Sequence, residues 1–94
     1  MSSEFDISER LRKILNKLAG KDMALATSVN KKIHQIASCD RAEIEHFKNL
    51  RHDLSPLKRV HIGSFVLVFR VDEGVIIFED FDHHDRIYKK RYIF

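Results

Sequence analysis

The chain has 94 residues, 44% of them hydrophobic and 33% charged, with a formal net charge of +3. That length allows one domain with one modest core and excludes a multidomain enzyme. A single cysteine, Cys39, excludes an internal disulfide and fits a reducing, cytoplasmic setting.

No apolar run approaches the ~18–20 residues of a membrane span. The N-terminus is polar and acidic and lacks the charged-then-apolar pattern of a signal peptide, so no membrane partner is expected. The positive charge is unevenly placed. Residues 83–94 hold Arg86, Lys89, Lys90 and Arg91 against Asp85 alone, which accounts for the whole excess. With Tyr88, Tyr92 and Phe94 interleaved, this end suits a polyanion such as RNA, DNA or an acidic protein segment. The competing reading is a solvated last strand whose lysines blunt a sheet edge.

In chain order, Glu4–Ile7 alternates polar and apolar residues and predicts a short strand. Ser8 is a good N-cap, and Leu11, Ile14, Leu15 and Leu18 then recur at helical spacing. Gly20 is placed to stop that helix. Asp22 can cap a second helix with Leu25, Val29, Ile33 and Ile36 on one side. The link is so short that the two helices must form an antiparallel hairpin. Asp40-Arg41-Ala42-Glu43 has capping-box spacing and predicts a turn or two of helix. Asn49–Leu57 is a turn-rich link, with Asp53, Ser55 and Pro56 as turn formers.

Three strands follow. Val60 and Ile62 alternate with Arg59 and His61, which gives one apolar and one basic face. Gly63 breaks the run. Phe65–Val71 is the second strand and Val75–Phe81 the third, joined by Asp72-Glu73-Gly74. Phe65, Leu67, Phe69 and Val71 are expected to pack on the helices. Val66, Val68 and Arg70 then share the opposite face with Arg59 and His61. The loop Asp82–Arg86 is close enough to complete that surface, and the tail is expected to give a fourth strand. Helices followed by strands predict an α+β fold, with the N-terminal helical hairpin on one face of a small, mainly antiparallel sheet.

The residues that carry chemistry come late in the chain. Asn49–Leu54, Lys58-Arg59-Val60-His61-Ile62-Gly63-Ser64-Phe65, Val68–Val71 and Asp82-His83-His84-Asp85-Arg86-Ile87-Tyr88 occur in one order behind a helical hairpin. In this the chain resembles the RelE/ParE toxin superfamily, and its RelE-type branch in particular, over nearly its whole length (1–94). The family shows a Leu-Arg-Gly-like turn, an Arg-Val-Arg-Ile-Gly-Asp-Tyr-Arg-like strand pair and a His-Arg-x-Asp-x-Tyr-like ending. The resemblance implies a curved RelE-like sheet and a toxin of a type II toxin–antitoxin system. It implies a metal-independent endoribonuclease that cuts mRNA at the ribosome and so inhibits translation. Its partners would be mRNA, the ribosome and a cognate RelB-like antitoxin, with no small-molecule cofactor.

In that chemistry the RNA's own 2′-hydroxyl attacks the phosphorus and the 5′-oxygen leaves. One group must take the 2′ proton, another must protonate the leaving oxygen, and cations must hold the phosphate charge. Histidine suits proton transfer near neutrality, and arginine binds two phosphate oxygens at once. The resemblance matches Tyr88 to the family's C-terminal tyrosine, and His83 and His84 to the His-Arg pair before it. It matches Arg59 and His61 to two basic positions of the first meander strand. Arg59 is favoured as a phosphate ligand and His61 as a proton-transfer group. Arg86, Lys89 and Lys90 are candidate RNA contacts.

One departure bears on activity. The family's Gly-Asp-Tyr-Arg becomes Gly63-Ser64-Phe65-Val66, so the transition-state arginine is a valine. Arg70 lies on the same strand face and is a candidate substitute. Two alternatives therefore stand beside the ribonuclease: a ParE-like toxin that acts on DNA gyrase, and a RelE-fold protein with a decayed site that acts only by protein binding. By ligand type Asp82-His83-His84-Asp85 suits a metal, but adjacent residues rarely converge on one ion, so no metal is expected. His34, His46 and His52 are expected at the surface, and Arg51 in a structural role.

Overall fold

A computed structural model of the chain describes residues 4–50 and 56–92. The expectations for Arg51, His52, Asp53, Ser55 and Phe94 lie outside the described residues. The elements in order are β1 (Phe5–Ile7), α1 (Glu9–Lys21), α2 (Met23–Ala37), α3 (Arg41–Glu45), β2 (Lys58–Ile62), β3 (Phe65–Asp72), β4 (Val75–His83) and α4 (His84–Ile87). The four-stranded sheet has the order β1-β4-β3-β2. β2, β3 and β4 form the antiparallel meander, and β1 adds to β4 in parallel.

The helical hairpin forms for the reasons the sequence offers. The Ser8 hydroxyl accepts the Leu11 N–H at 3.1 Å, and its own proton goes to the Glu79 carbonyl at 2.7 Å. One side chain thus caps α1 and ties it to β4. Gly20 does not end the helix. α1 runs on to Lys21, and Asp22 serves as its C-cap and as the N-cap of α2, accepting the Leu25 N–H. A capping aspartate starts a new helix here, so the glycine's left-handed freedom is not needed. The capping box of Asp40 and Glu43 on α3 is present in both directions.

The sheet has a core on each side. On the helix side, Leu11, Val29, Ile33, Ile36 and Ile44 pack against Leu67, Phe69, Ile76, Phe78 and Phe81. Each such side chain contributes about 1.5–3 kcal/mol on burial. On the other side, Val66 and Val68 join Leu50, Leu57 and Ile87, with Tyr88 and Tyr92 against them. Val71, expected on the helices, is largely exposed near the turn.

An irregularity in the β3–β4 pairing sets the faces. Val68 pairs with Asp80 but Phe69 pairs with Phe78, so Glu79 is an extra residue on β4. Such a bulge shifts the alternation by one. Phe78 and Phe81 therefore share the helix-side core although three residues apart. Asp80 and Asp82 turn to the other side, opposite Val68 and Val66.

Two further expectations are corrected. β4 does not stop at Phe81 but continues to His83, because Val66 and Phe65 still offer partners to Asp82 and His83. Among the described residues the tail gives no fourth meander strand. It turns into α4 and folds back across the second face, where Ile87 is fully buried. The meander turn is tighter than expected, with only Glu73-Gly74 between strands and both residues at positive φ, 50° and 82°. That is the twist a two-residue hairpin favours.

Candidate functional site

The alternation of β2 places its basic residues. Val60 and Ile62 pack toward the helix-side core, so Arg59 and His61 stand on the other face. His61, Val66 and Asp82 form one cross-strand row, and Arg59, Val68 and Asp80 the next. Arg59 and His61 are about 6.8 Å apart along the strand.

The returning tail completes this face. Ile87 sits in the apolar patch of Val66 and Val68, which carries Tyr88 to the strand. The Arg59 guanidinium donates a hydrogen bond to the Tyr88 hydroxyl and lies 5.6 Å from the ring centroid. Among the described residues no carboxylate pairs with Arg59. His61 is exposed beside it.

Other basic residues of the face are engaged by acids. Arg70 Nε donates to Glu79 at 2.6 Å, and its Nη1 lies 3.3 Å from Asp72. The hydrogen bond to Glu79 outweighs burial and raises the Arg70 pKa. Lys90 bridges Asp80 at 2.8 Å and Asp82 at 3.0 Å. Burial opposes its charge, but the two carboxylates more than offset this and raise its pKa. Arg86 donates to Asp82 at 2.9 Å, yet its side chain remains 68% exposed. Lys89 is exposed.

Asp80 is the anchor of the tail and is 0% exposed. It takes hydrogen bonds from Lys90, from the Tyr92 hydroxyl at 2.8 Å and from the Phe81 N–H at 2.9 Å. Arg10 of α1 lies 3.8 Å away and 5.5 Å from the Tyr92 ring centroid. Burial would raise the Asp82 pKa, but bonds from Lys90, the His83 N–H and Arg86 prevail and lower it. Sequence reasoning did not single out Asp80 or Asp82 as partners of the basic tail. The available signal was Asp80 and Asp82 spaced by two, behind Glu79, at the end of a strand that opens with four apolar residues.

The candidate histidines divide between the faces. His83 pairs across from Phe65, and its ring meets the Phe65 ring edge-on at 5.5 Å. Phe65 packs on the helix-side core, so His83 points to that side, away from Arg59. The His84 ring is 5.1 Å from that of His83. His61 and Tyr88 are thus brought together with Arg59, and His83 and His84 form a separate pair at the end of β4. Val66, at the position of the family arginine, is 0% exposed within the second core. Burial, and then Glu43 and Asp40, push the Cys39 thiol pKa up, which disfavours the reactive thiolate.

No helix among the described residues is long and apolar enough to cross a membrane. No family model matches the chain. A protein of Methanocaldococcus jannaschii named "Putative toxin RelE4" is 49% identical over 94 residues, covering 97% of this chain and 96% of its own. An uncharacterised protein of Methanosarcina mazei is 43% identical over 83 residues, 81% of this chain and 95% of its own. Among solved structures, the toxin–antitoxin complex RelBE2 of Mycobacterium tuberculosis contains a chain similar to this one with a TM-score of 0.69 at 17% identity. That match covers 89% of this chain and 93% of the other. The conserved protein HP0894 of Helicobacter pylori follows with a TM-score of 0.61 at 19% identity, covering 88% and 96%. The Methanocaldococcus jannaschii relative matches 97% of the chain at 49% identity, and the solved neighbours share the fold: the chain belongs to the RelE/ParE toxin superfamily.

Proposed function

We propose that this chain is the toxin of a type II toxin–antitoxin pair and acts as an mRNA endoribonuclease at the ribosome. The observation that carries the reading is the Arg59–Tyr88 contact beside the exposed His61. A guanidinium that pairs with no carboxylate among the described residues meets a phosphodiester well, and its fork takes two oxygens. The Tyr88 hydroxyl can donate to the same phosphate or the ring can stack on a base. His61 serves as the group that takes the 2′ proton. The 2′-oxygen–phosphorus bond forms, the bond to the 5′-oxygen breaks, and the leaving oxygen takes its proton from the Tyr88 hydroxyl, which carries one while it accepts from Arg59. His83 lies against Phe65 on the other face with His84 next to it, and the two serve as contacts or proton donors for RNA extending past the end of β4. Arg86 and Lys89 guide the backbone electrostatically. Arg70 and Lys90 reach RNA only by sharing their charge with the acids that hold them.

A RelB-like antitoxin is the proposed partner, and the cytoplasm the place of action. The Mycobacterium tuberculosis neighbour, solved within a toxin–antitoxin complex, supports that pairing. Expression of the chain alone should arrest growth, and co-expression of a small protein encoded beside it should relieve the arrest. Arrest that persists with both Arg59→Ala and Tyr88→Phe in place would sink the site assignment.

A second reading has one observation in its favour. Val66 is sealed beneath Ile87, so the family's arginine position cannot present a cation here. A fold-bearing protein that acts only by binding predicts harmless expression of the unaltered chain.

A further inference from the structure

The corner where β4 becomes α4 gathers three metal-ligand side chains in consecutive positions. His83 ends the strand, and His84 and Asp85 open the helix. Within a strand, neighbours point to opposite faces and do not converge. Here the chain turns between them. His83 is the helix cap, and its Nδ1 accepts the Asp85 N–H at 3.2 Å. One ligand atom from each of His83, His84 and Asp85 then lies within 4.8 Å of the others. The Asp85 carboxylate is the hub, with Oδ2 3.4 Å from His83 Nδ1 and Oδ1 3.2 Å from His84 Nδ1.

Two ligands at ~2.0–2.1 Å from a tetrahedral ion are themselves about 3.4 Å apart. The separation between His84 Nδ1 and Asp85 Oδ1 already matches that spacing. The His83 Nδ1 lone pair is taken by the Asp85 N–H, so His83 binds through Nε2 and keeps the cap. The longer separations close by rotation of side chains that reach solvent. The backbone of the corner is held in advance. The His83 N–H donates to Asp82 Oδ1 at 2.7 Å, and the His84 N–H to the Ser64 carbonyl at 3.0 Å. Arg86, the neighbouring cation, is drawn to Asp82 rather than Asp85. Exposure of 31%, 52% and 71% for the three side chains leaves room for water or a further donor on the ion.

We propose that His83, His84 and Asp85 form a binding site for a divalent first-row transition ion. Two imidazoles with one carboxylate suit Zn²⁺, Ni²⁺ or Cu²⁺, whereas Mg²⁺ and Ca²⁺ prefer oxygen shells. The ion clamps the end of β4 to α4 and withdraws both histidines from proton transfer. It does not touch Arg59 or Tyr88, it competes with RNA for the two histidines, and the inference stands whether or not the chain cuts RNA.

The test is calorimetric titration of the full, tag-free chain with zinc chloride, and separately with magnesium chloride. The exposed-site variants His84→Gln and Asp85→Asn are run alongside, with circular dichroism to show that they fold. The expected result is one zinc ion per chain, no magnesium binding at the same concentration, and zinc affinity at least about tenfold weaker in each variant. Undiminished zinc affinity in both variants would overturn the site, as would the absence of stoichiometric binding up to millimolar zinc. Histidine ring resonances of the unaltered chain decide independently of any variant. Zinc should shift those of His83 and His84 and leave His34, His46 and His61 in place; the reverse pattern contradicts the proposal.

Discussion

Arg59 and Tyr88 are 29 residues apart in the chain, and they meet because Ile87 is buried in the patch next to Tyr88. The hydroxyl is the part of Tyr88 that contacts the guanidinium. Tyr88→Phe keeps the ring and removes that contact. We expect RNA cleavage to fall about 10²-fold or more, the usual scale for a lost proton-transfer or charge-stabilising group. Unfolding in urea should change by only about 1 kcal/mol. Val66 argues in the opposite direction. Placing the family's arginine there forces a long cation into an apolar cluster, and the acid across the strand, Asp82, is already held by Arg86 and Lys90. Val66→Arg should cost ~3 kcal/mol or more of stability, read from the urea midpoint, and should not raise activity. A variant as stable as the parent would mean that the tail lifts off this face freely. The basic residues of the tail were legible as a cluster, but their engagement was not. Lys90 and Arg86 find their acids on β4, and that pairing depends on a chain reversal that no local pattern records.

Strand alternation was readable on β2, where Val60 and Ile62 take the core and Arg59 and His61 do not. On β4 it misleads. Strict period-two reading groups Phe81 with Val75 and Ile77, whereas the bulge at Glu79 groups it with Ile76 and Phe78. One inserted residue reverses the face of everything after it. That reversal is why Asp80 and Asp82 lie beneath the tail and why His83 faces away from Arg59. The tail itself carries a pH signature. Asp82 is held below its unfolded value of about 3.9, so its contribution is complete above that value and is lost as pH falls through the lower folded value. Lys90 is held above about 10.4, so its contribution is complete below that and is lost as pH rises through the higher folded value. Urea unfolding of the parent and of Asp82→Asn should therefore differ by a constant amount between about pH 5 and 9. The difference should shrink as the pH drops below about 4. A gap that stays constant into strong acid would mean that Asp82 is not held by Lys90 and Arg86.

At the scale of the whole molecule, one sheet separates two cores with different duties. The helix-side core sets the fold that the superfamily shares. The smaller core of Val66, Val68, Leu50, Leu57 and Ile87 holds the C-terminal segment across the opposite face. The site residues Arg59, His61 and Tyr88 ride on that second core. The α+β class, the hairpin and the meander were legible because they rest on local caps and periodicity. The docking of the tail was not, because it rests on contacts between distant residues. The central claim is that the face bearing Arg59, His61 and Tyr88 cuts mRNA during translation. The direct measurement is an in-vitro translation reaction with purified chain, with mRNA ends mapped by primer extension beside Arg59→Ala, Tyr88→Phe and His84→Ala. New 5′ ends are expected with the unaltered chain, with near-complete loss in Arg59→Ala and Tyr88→Phe and a smaller loss in His84→Ala. Intact mRNA at high concentrations of folded chain, or cuts unchanged by the Arg59 and Tyr88 substitutions, would contradict that claim.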